Sequence, residues 1–287
     1  MRKNQTKLLV GMHVSIGGSL VNAVDNAKIL GCTAFQIFTR NPRGWTAPPL
    51  STKEIVSFRS KIRSHNMDKC PIFAHMPYPP NFSSPEKTSF KKSMQTLIQE
   101  TKRCGELGIP YLVAHLGTHR GVGSAKGVET VVEAFCNAVK KTPDNVTILL
   151  ENNAGSRHSV GSNFEEFMEI FSQLEKMNRF GICFDTCHAF TSGYEMQTPS
   201  TAKKTLDDFA NLVGIKNIKL IHLNDSQGKI GCGIDLHEHI GLGRIGKKGL
   251  EYCTKFAKSN NIPIILETPI DERRDDLENL QIVKNMF

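Results

Sequence analysis

The sequence predicts an α/β protein built as a single (β/α)8 TIM barrel over residues 1–287. Three observations point there. Eight short runs rich in β-branched and other apolar residues recur along the chain, stretches of helical period separate them, and no linker or low-complexity tract divides the whole. A length of 287 residues would also admit two smaller domains; the regular spacing decides for one.

The apolar runs occupy residues 8–14, 34–39, 71–76, 111–116, 147–152, 180–185, 218–224 and 262–268. They begin roughly 25 to 45 residues apart, the repeat of successive βα units. Amphipathic stretches at 20–30, 87–107, 128–141 and 164–176 predict helices in the intervals. Strands of such a barrel are covered on both faces, so they read as nearly continuous apolar runs, as Ile262-Pro263-Ile264-Ile265-Leu266 does. Punctuation such as Ala47-Pro48-Pro49 and Met76-Pro77-Tyr78-Pro79-Pro80 is brief enough to be loop.

The formal charge of +8 and an isoelectric point near 9.0 favour a polyanionic partner such as nucleic acid. Eight cysteines lie at irregular positions, without the dense framework of a small secreted domain, which implies a reducing compartment. The basic start Met1-Arg2-Lys3-Asn4 precedes an apolar stretch too short for a signal core or a membrane span. The expectation is a soluble, intracellular monomer with no membrane contact, cytoplasmic, or nuclear in a eukaryotic source.

Polar residues able to bind a metal cluster where these runs end. His13 closes the first run, His75 the third, His115 the fourth, Glu151 the fifth, Asp185 the sixth, His222 the seventh and Glu267 the eighth. A barrel gathers its strand C-termini at one face, so these distant residues should converge in one mouth. His188, one helical turn beyond Asp185, and the Asp235-Leu236-His237 segment add three more.

Taken singly, each has a plainer reading: a strand-end histidine is often only hydrogen-bonded, and Asp185 suits the N-cap of a following helix. Independent roles explain the set poorly, because Glu151 and Glu267 close strongly apolar strands where an unpaired carboxylate is costly. Apart from His13, the nine residues His75, His115, Glu151, Asp185, His188, His222, Asp235, His237 and Glu267 supply five imidazoles and four carboxylates, more than one tetrahedral ion needs and enough for two or three. The imidazole share favours zinc over magnesium or calcium, with manganese or iron as alternatives at a mixed site. Three divalent ions against four carboxylates leave a surplus of about two positive charges, which suits a phosphate.

The motifs Gly11-Met12-His13-Val14-Ser15, Phe38-Thr39-Arg40-Asn41-Pro42-Arg43-Gly44-Trp45, Ala114-His115-Leu116-Gly117, Leu150-Glu151-Asn152, Asp185-Thr186-Cys187-His188-Ala189-Phe190, His222-Leu223-Asn224-Asp225 and Leu266-Glu267-Thr268-Pro269 resemble the endonuclease IV family of apurinic/apyrimidinic endonucleases. The similarity covers nearly the whole chain. It implies a zinc-dependent enzyme of base excision repair that cuts damaged double-stranded DNA 5′ to an abasic site, leaving a 3′-hydroxyl and a 5′-deoxyribose phosphate, with 3′-repair phosphodiesterase or phosphatase activity besides. By position, the resemblance gives one zinc to His75, His115 and Glu151. A second falls to Glu151, Asp185, His222 and Glu267, and a third to His188, Asp235 and His237. Glu151 and Glu267 also take catalytic roles, and Mn2+ is an alternative at one site. Arg43 and Tyr78 are implied to enter the duplex as the damaged nucleotide is turned out. His13 reads as a residue behind the ligands, and His119 and His239 receive no role.

Departures accompany the resemblance. Pro79 stands where bacterial relatives carry a leucine, Gly44 where a glutamine occurs, and Gly233 and Leu236 where some relatives have arginines. Two phosphate contacts are then either absent or supplied by Arg244, Lys247 or Lys248. Two other functions compete: a metal-dependent sugar isomerase or epimerase of the same barrel type, which needs fewer imidazoles, and a non-catalytic binder of damaged DNA.

Overall fold

The computed structural model describes residues 7–286. Eight parallel strands form one sheet: β1 (Val10–Met12), β2 (Phe35–Phe38), β3 (Ile72–His75), β4 (Tyr111–His115), β5 (Thr147–Glu151), β6 (Phe180–Asp185), β7 (Ile218–His222) and β8 (Ile264–Leu266). Each pairs with its sequence neighbour from β2 through β8, and β8 pairs in turn with β1. The last gap, between β1 and β2, is spanned by a parallel bridge of His13 with Gln36, with the Val14 amide donating to the Gln36 carbonyl at 2.8 Å. The predicted barrel is therefore present. The basic Met1–Asn4 segment lies outside the described residues.

Helices follow the strands: α1 (Leu20–Ile29), α2 (Thr52–Ser64), α3 (Lys87–Leu107), α4 (Ser124–Val139), α5 (Phe164–Ser172), α6 (Thr186–Thr191), α7 (Pro199–Val213), α8 (Gly246–Ser259) and α9 (Asp276–Lys284). The helix expected at 128–141 begins a turn earlier, because its first turn is exposed and polar and carries no apolar signal. The one expected at 164–176 ends at Ser172. Its chain turns so that Leu174 is buried, and Lys176 adopts a positive φ of 55° before a short 3-10 turn. Among the described residues, no helix is long and apolar enough to cross a membrane.

Two layers of side chains explain the mouth. Ala34, Phe73, Val113, Leu149, Cys183, Leu220 and Ile265 form a buried apolar cluster distinct from the larger one between strands and helices. Strand side chains alternate faces, so residues two positions further on point the same way. Those residues are Gln36, His75, His115, Glu151, Asp185, His222 and Glu267. An apolar floor and a polar storey above it are thus one consequence of strand geometry.

Gly11 occupies the corresponding position on β1, two residues before His13. A Cβ there would stand 1.7 Å from the Ala34 carbonyl oxygen, so only glycine lets β1 approach β2. Gly11→Ala should therefore destabilise the protein by about 1–3 kcal/mol, the usual range for forced overpacking. Denaturant unfolding checks this; an unchanged midpoint would show that the seam tolerates the methyl group.

Candidate metal centre

The polar storey opens into a cavity of about 300 Å3 lined by His13, Phe38, His75, Tyr78, His115, His188, Asp235, His237, Glu267 and Thr268. Glu151, Asp185 and His222 lie beneath it, fully buried. All nine residues singled out in the sequence meet here, in sets whose donor atoms adjoin. His75, His115 and Glu151 form one set, with Nε2 of the two imidazoles 3.3 and 3.4 Å from Glu151 Oε2. Glu151, Asp185, His222 and Glu267 form the next, sharing Glu151 with the first.

Asp235 joins the two imidazoles of the third set: its Oδ1 lies 3.1 Å from His188 Nε2 and 3.3 Å from His237 Nε2. Asp185 also reaches His188 and His237, so the second and third sets touch. Asp235 comes from the long loop after β7, whose ends are pinned by a two-residue antiparallel ribbon, Asp225–Ser226 with His237–Glu238. That ribbon was not expected from the sequence.

Four of the five imidazoles are oriented through their other ring nitrogen. His75 Nδ1 donates to the Met76 carbonyl at 2.7 Å, His188 Nδ1 to that of Asn152 at 2.8 Å, and His237 Nδ1 to that of Glu267 at 3.1 Å. Their Nε2 atoms are left to face the carboxylates of the cluster, Glu151 for His75 and Asp235 for His188 and His237. His222 is turned the other way: its Nε2 bonds Gln36 Oε1 at 2.9 Å, and Nδ1 faces Glu151 Oε1 at 2.7 Å. An anchored ring with one free nitrogen is how proteins present imidazole to a cation.

The carboxylates are held as firmly. Asp185 caps α6, its Oδ1 accepting the His188 amide at 2.8 Å, so the plain capping role and a place in the cluster coexist. Asn224 Nδ2 donates to Asp185 Oδ2 at 2.6 Å, and Asn224 Oδ1 accepts the Glu267 amide at 2.9 Å. Gln36 Nε2 donates to Glu267 Oε1 at 2.7 Å and lies 2.9 Å from His13 Nδ1. Gln36, Asn152 and Asn224 were missed as site residues. The available signal for Gln36 was a single amide inside the apolar run Phe35-Gln36-Ile37-Phe38.

Charge is balanced internally. Burial alone would discourage ionisation of Glu151, but His115 and His222 outweigh it and hold the carboxyl well below its ordinary range. Burial likewise opposes charge on His222, yet Glu267 and Glu151 push it up to about 9. For His237, burial is overcome by Asp235 and Asp185, and the imidazole also rises to about 9. Mixed nitrogen and oxygen donors, three adjoining sets and anchored rings together suit several divalent metal ions.

Other sequence expectations divide. Tyr78 is exposed at the cavity rim, with its ring edge-on to Phe38 at 5.4 Å. Arg43 is exposed in the loop after β2 and does not line the cavity, though the Tyr78 amide donates to the Pro42 carbonyl beside it at 2.9 Å. Trp45 is half-buried, with Lys92 Nζ 5.9 Å from its ring centre. Gly233 has φ 67°, and a Cβ there would meet the Gly155 carbonyl at 2.5 Å, so no arginine could occupy this loop conformation. Leu236, Arg244, Lys247 and Lys248 are exposed. His13 itself lines the cavity and bonds Gln36 and Glu267. His239 is bound to Asp271 and Asn279, and His119 accepts the Gly121 and Gly123 amides; neither lines the cavity.

A family model described as a xylose isomerase-like TIM barrel matches residues 24–285. The chain is 50% identical to a protein named probable endonuclease 4 from Nitrosopumilus maritimus (strain SCM1), over 96% of this chain and 98% of that one. It is 36% identical to a Plasmodium berghei (strain Anka) protein named apurinic-apyrimidinic endonuclease 1, over 92% of this chain and 52% of that one. Among solved structures, endonuclease IV from Thermus thermophilus matches with a TM-score of 0.84 and 31% identity, over 96% of this chain and 98% of that chain. With this fold, this mouth and similarity along nearly its whole length, the chain belongs to the endonuclease IV family and is a nuclease.

Proposed function

We propose that the protein is a zinc-dependent apurinic/apyrimidinic endonuclease of base excision repair. Acting as a monomer with one domain over residues 1–287, it hydrolyses the phosphodiester 5′ to an abasic site and leaves a 3′-hydroxyl and a 5′-deoxyribose phosphate. The same mouth would accept blocked 3′ ends, giving 3′-phosphodiesterase and phosphatase activity. Carrying this reading is the third donor set, His188, Asp235 and His237, beside the two that share Glu151. A sugar isomerase of the same barrel type needs fewer imidazoles, and phosphate charge calls for more cations.

In this reading His75, His115 and Glu151 hold one zinc, Glu151, Asp185, His222 and Glu267 a second, and His188, Asp235 and His237 a third, with Mn2+ as an alternative at one of them. Bound zinc supplies Lewis acidity and makes water nucleophilic near neutral pH. The chain's own work is orientation. Gln36, Asn152 and Asn224 fix the donor atoms, Glu151 joins two sets, and Glu267, at the cavity wall, faces the reacting phosphate. Tyr78 and Arg43 take the DNA, where a missing base lowers the energy of turning the nucleotide out.

Elemental analysis of the purified protein should find about three zinc per chain. A duplex carrying one tetrahydrofuran abasic analogue should be cut 5′ to the lesion, and a chelator should abolish cutting. One or two ions per chain together with aldose–ketose conversion would instead favour the isomerase.

Glu267→Gln should lower the cutting rate by at least about a hundredfold, as expected for loss of a direct ligand carboxylate, while damaged-duplex affinity stays within a few-fold. Survival of cutting would remove Glu267 from the mechanism.

Zinc uptake by stripped protein should release protons. His222 and His237 are pushed up to about 9, so both are largely protonated at neutral pH and must lose a proton to bind a cation. Zinc affinity therefore falls as pH drops below about 9. Calorimetry in buffers of different ionisation enthalpy measures the release; its absence at pH 7 would contradict the charge balance described above.

A further inference from the structure

The outer helix α3 lies away from the donor groups, yet it holds both ends of the loop that carries Arg43. Arg103 Nη2 donates to the Thr39 carbonyl at 2.7 Å, and its Nε donates to Thr39 Oγ1 at 3.0 Å. The remaining arm, Nη1, donates to the Pro48 carbonyl at 2.8 Å. One guanidinium thus ties the point where the chain leaves β2 to the point where it approaches α2. A planar fork with fixed donor directions can do this, and a lysine cannot.

One turn earlier on α3, Glu100 secures the start of the loop. Thr39 Oγ1 donates to Glu100 Oε2 at 2.5 Å, and Arg40 Nε pairs with Glu100 Oε1 at 2.9 Å, both side chains being almost wholly buried. Lys92, nearer the start of the helix, reaches the Trp45 ring. Within the loop, Asn41 Oδ1 accepts the Arg43 amide at 3.0 Å, and the Pro42 carbonyl accepts the Tyr78 amide. Residues 41–50 contain neither helix nor strand, so their pose depends on these tethers.

We propose that Arg103 is a positioning residue for recognition of damaged duplex: by joining Thr39 and Pro48 to α3, it fixes where Arg43 stands beside the mouth. The inference rests on the reading of Arg43 as a DNA contact given above. Arg103 touches neither the donor groups nor, in this reading, the reacting phosphate, so it acts through Arg43 and Tyr78.

The test is a double-mutant cycle on zinc-loaded protein with the tetrahydrofuran duplex, joined to hydrogen exchange without DNA. Arg103→Ala should raise KM on the order of tenfold, the scale of a small misplacement of binding groups, with kcat and zinc content unchanged. In an Arg43→Ala background, Arg103→Ala should add little. Amides of residues 41–48 should exchange faster in Arg103→Ala, while those of the barrel strands do not. An equal KM penalty in both backgrounds, or unaltered exchange at 41–48, would overturn the proposal. If exchange changes as expected but wild-type protein leaves the duplex intact, the tether stands and the DNA reading falls.

Discussion

Every feature of the mouth depends on the mutual compensation of carboxylates and imidazoles in a space most of which water does not reach. Glu151 and Asp185 are wholly buried, and an isolated carboxylate in either place would strongly destabilise the fold. They are tolerated because His115, His222, His188 and His237 surround them, and because Asn152 and Asn224 bond the chain and side chain of Asp185. The arrangement is a set of fixed donors awaiting positive charge. Protons on His222 and His237 offset part of its negative charge, and a divalent cation would offset it instead. The two states compete for the same lone pairs, which makes the electrostatics of folding and of chemistry inseparable here.

The barrel makes this compensation geometrically simple. An apolar storey from Ala34 to Ile265 fills the interior, and a step of two residues along each strand raises the side chain to the polar storey. A loop contributes Asp235, the most exposed of the donors, and His237, from a segment stitched by a short ribbon. Rigid strands thus hold the buried carboxylates Glu151 and Asp185, while Asp235 stands nearest the solvent.

Much of this was legible in the sequence, for reasons that particular residues make plain. Glu151 and Glu267 stood out because each ends a run of aliphatic residues, and His75, His115 and His222 because they recur at equivalent strand ends. Strand ends needed trimming by one or two residues, since apolar side chains continue into the turns that cover the core. What the pattern concealed was the supporting layer. Gln36, Asn152 and Asn224 are neutral amides with no charge or metal affinity to draw notice, and their importance lies in which lone pair they turn toward which ring. The position of Arg43 outside the cavity was equally hidden, because a loop's reach depends on what its ends are tied to, here Arg103 and Glu100 on a helix beginning more than a strand later.

Gln36 has one more implication. From β2 it engages His13 after β1, His222 on β7 and Glu267 after β8, so a single amide senses the strands on both sides of the seam where the cylinder shuts. A slip of one residue between β1 and β2 would swing that amide to the opposite face and leave all three partners misaligned. The register of the closing seam and the orientation of the donor groups are therefore fixed by one and the same side chain.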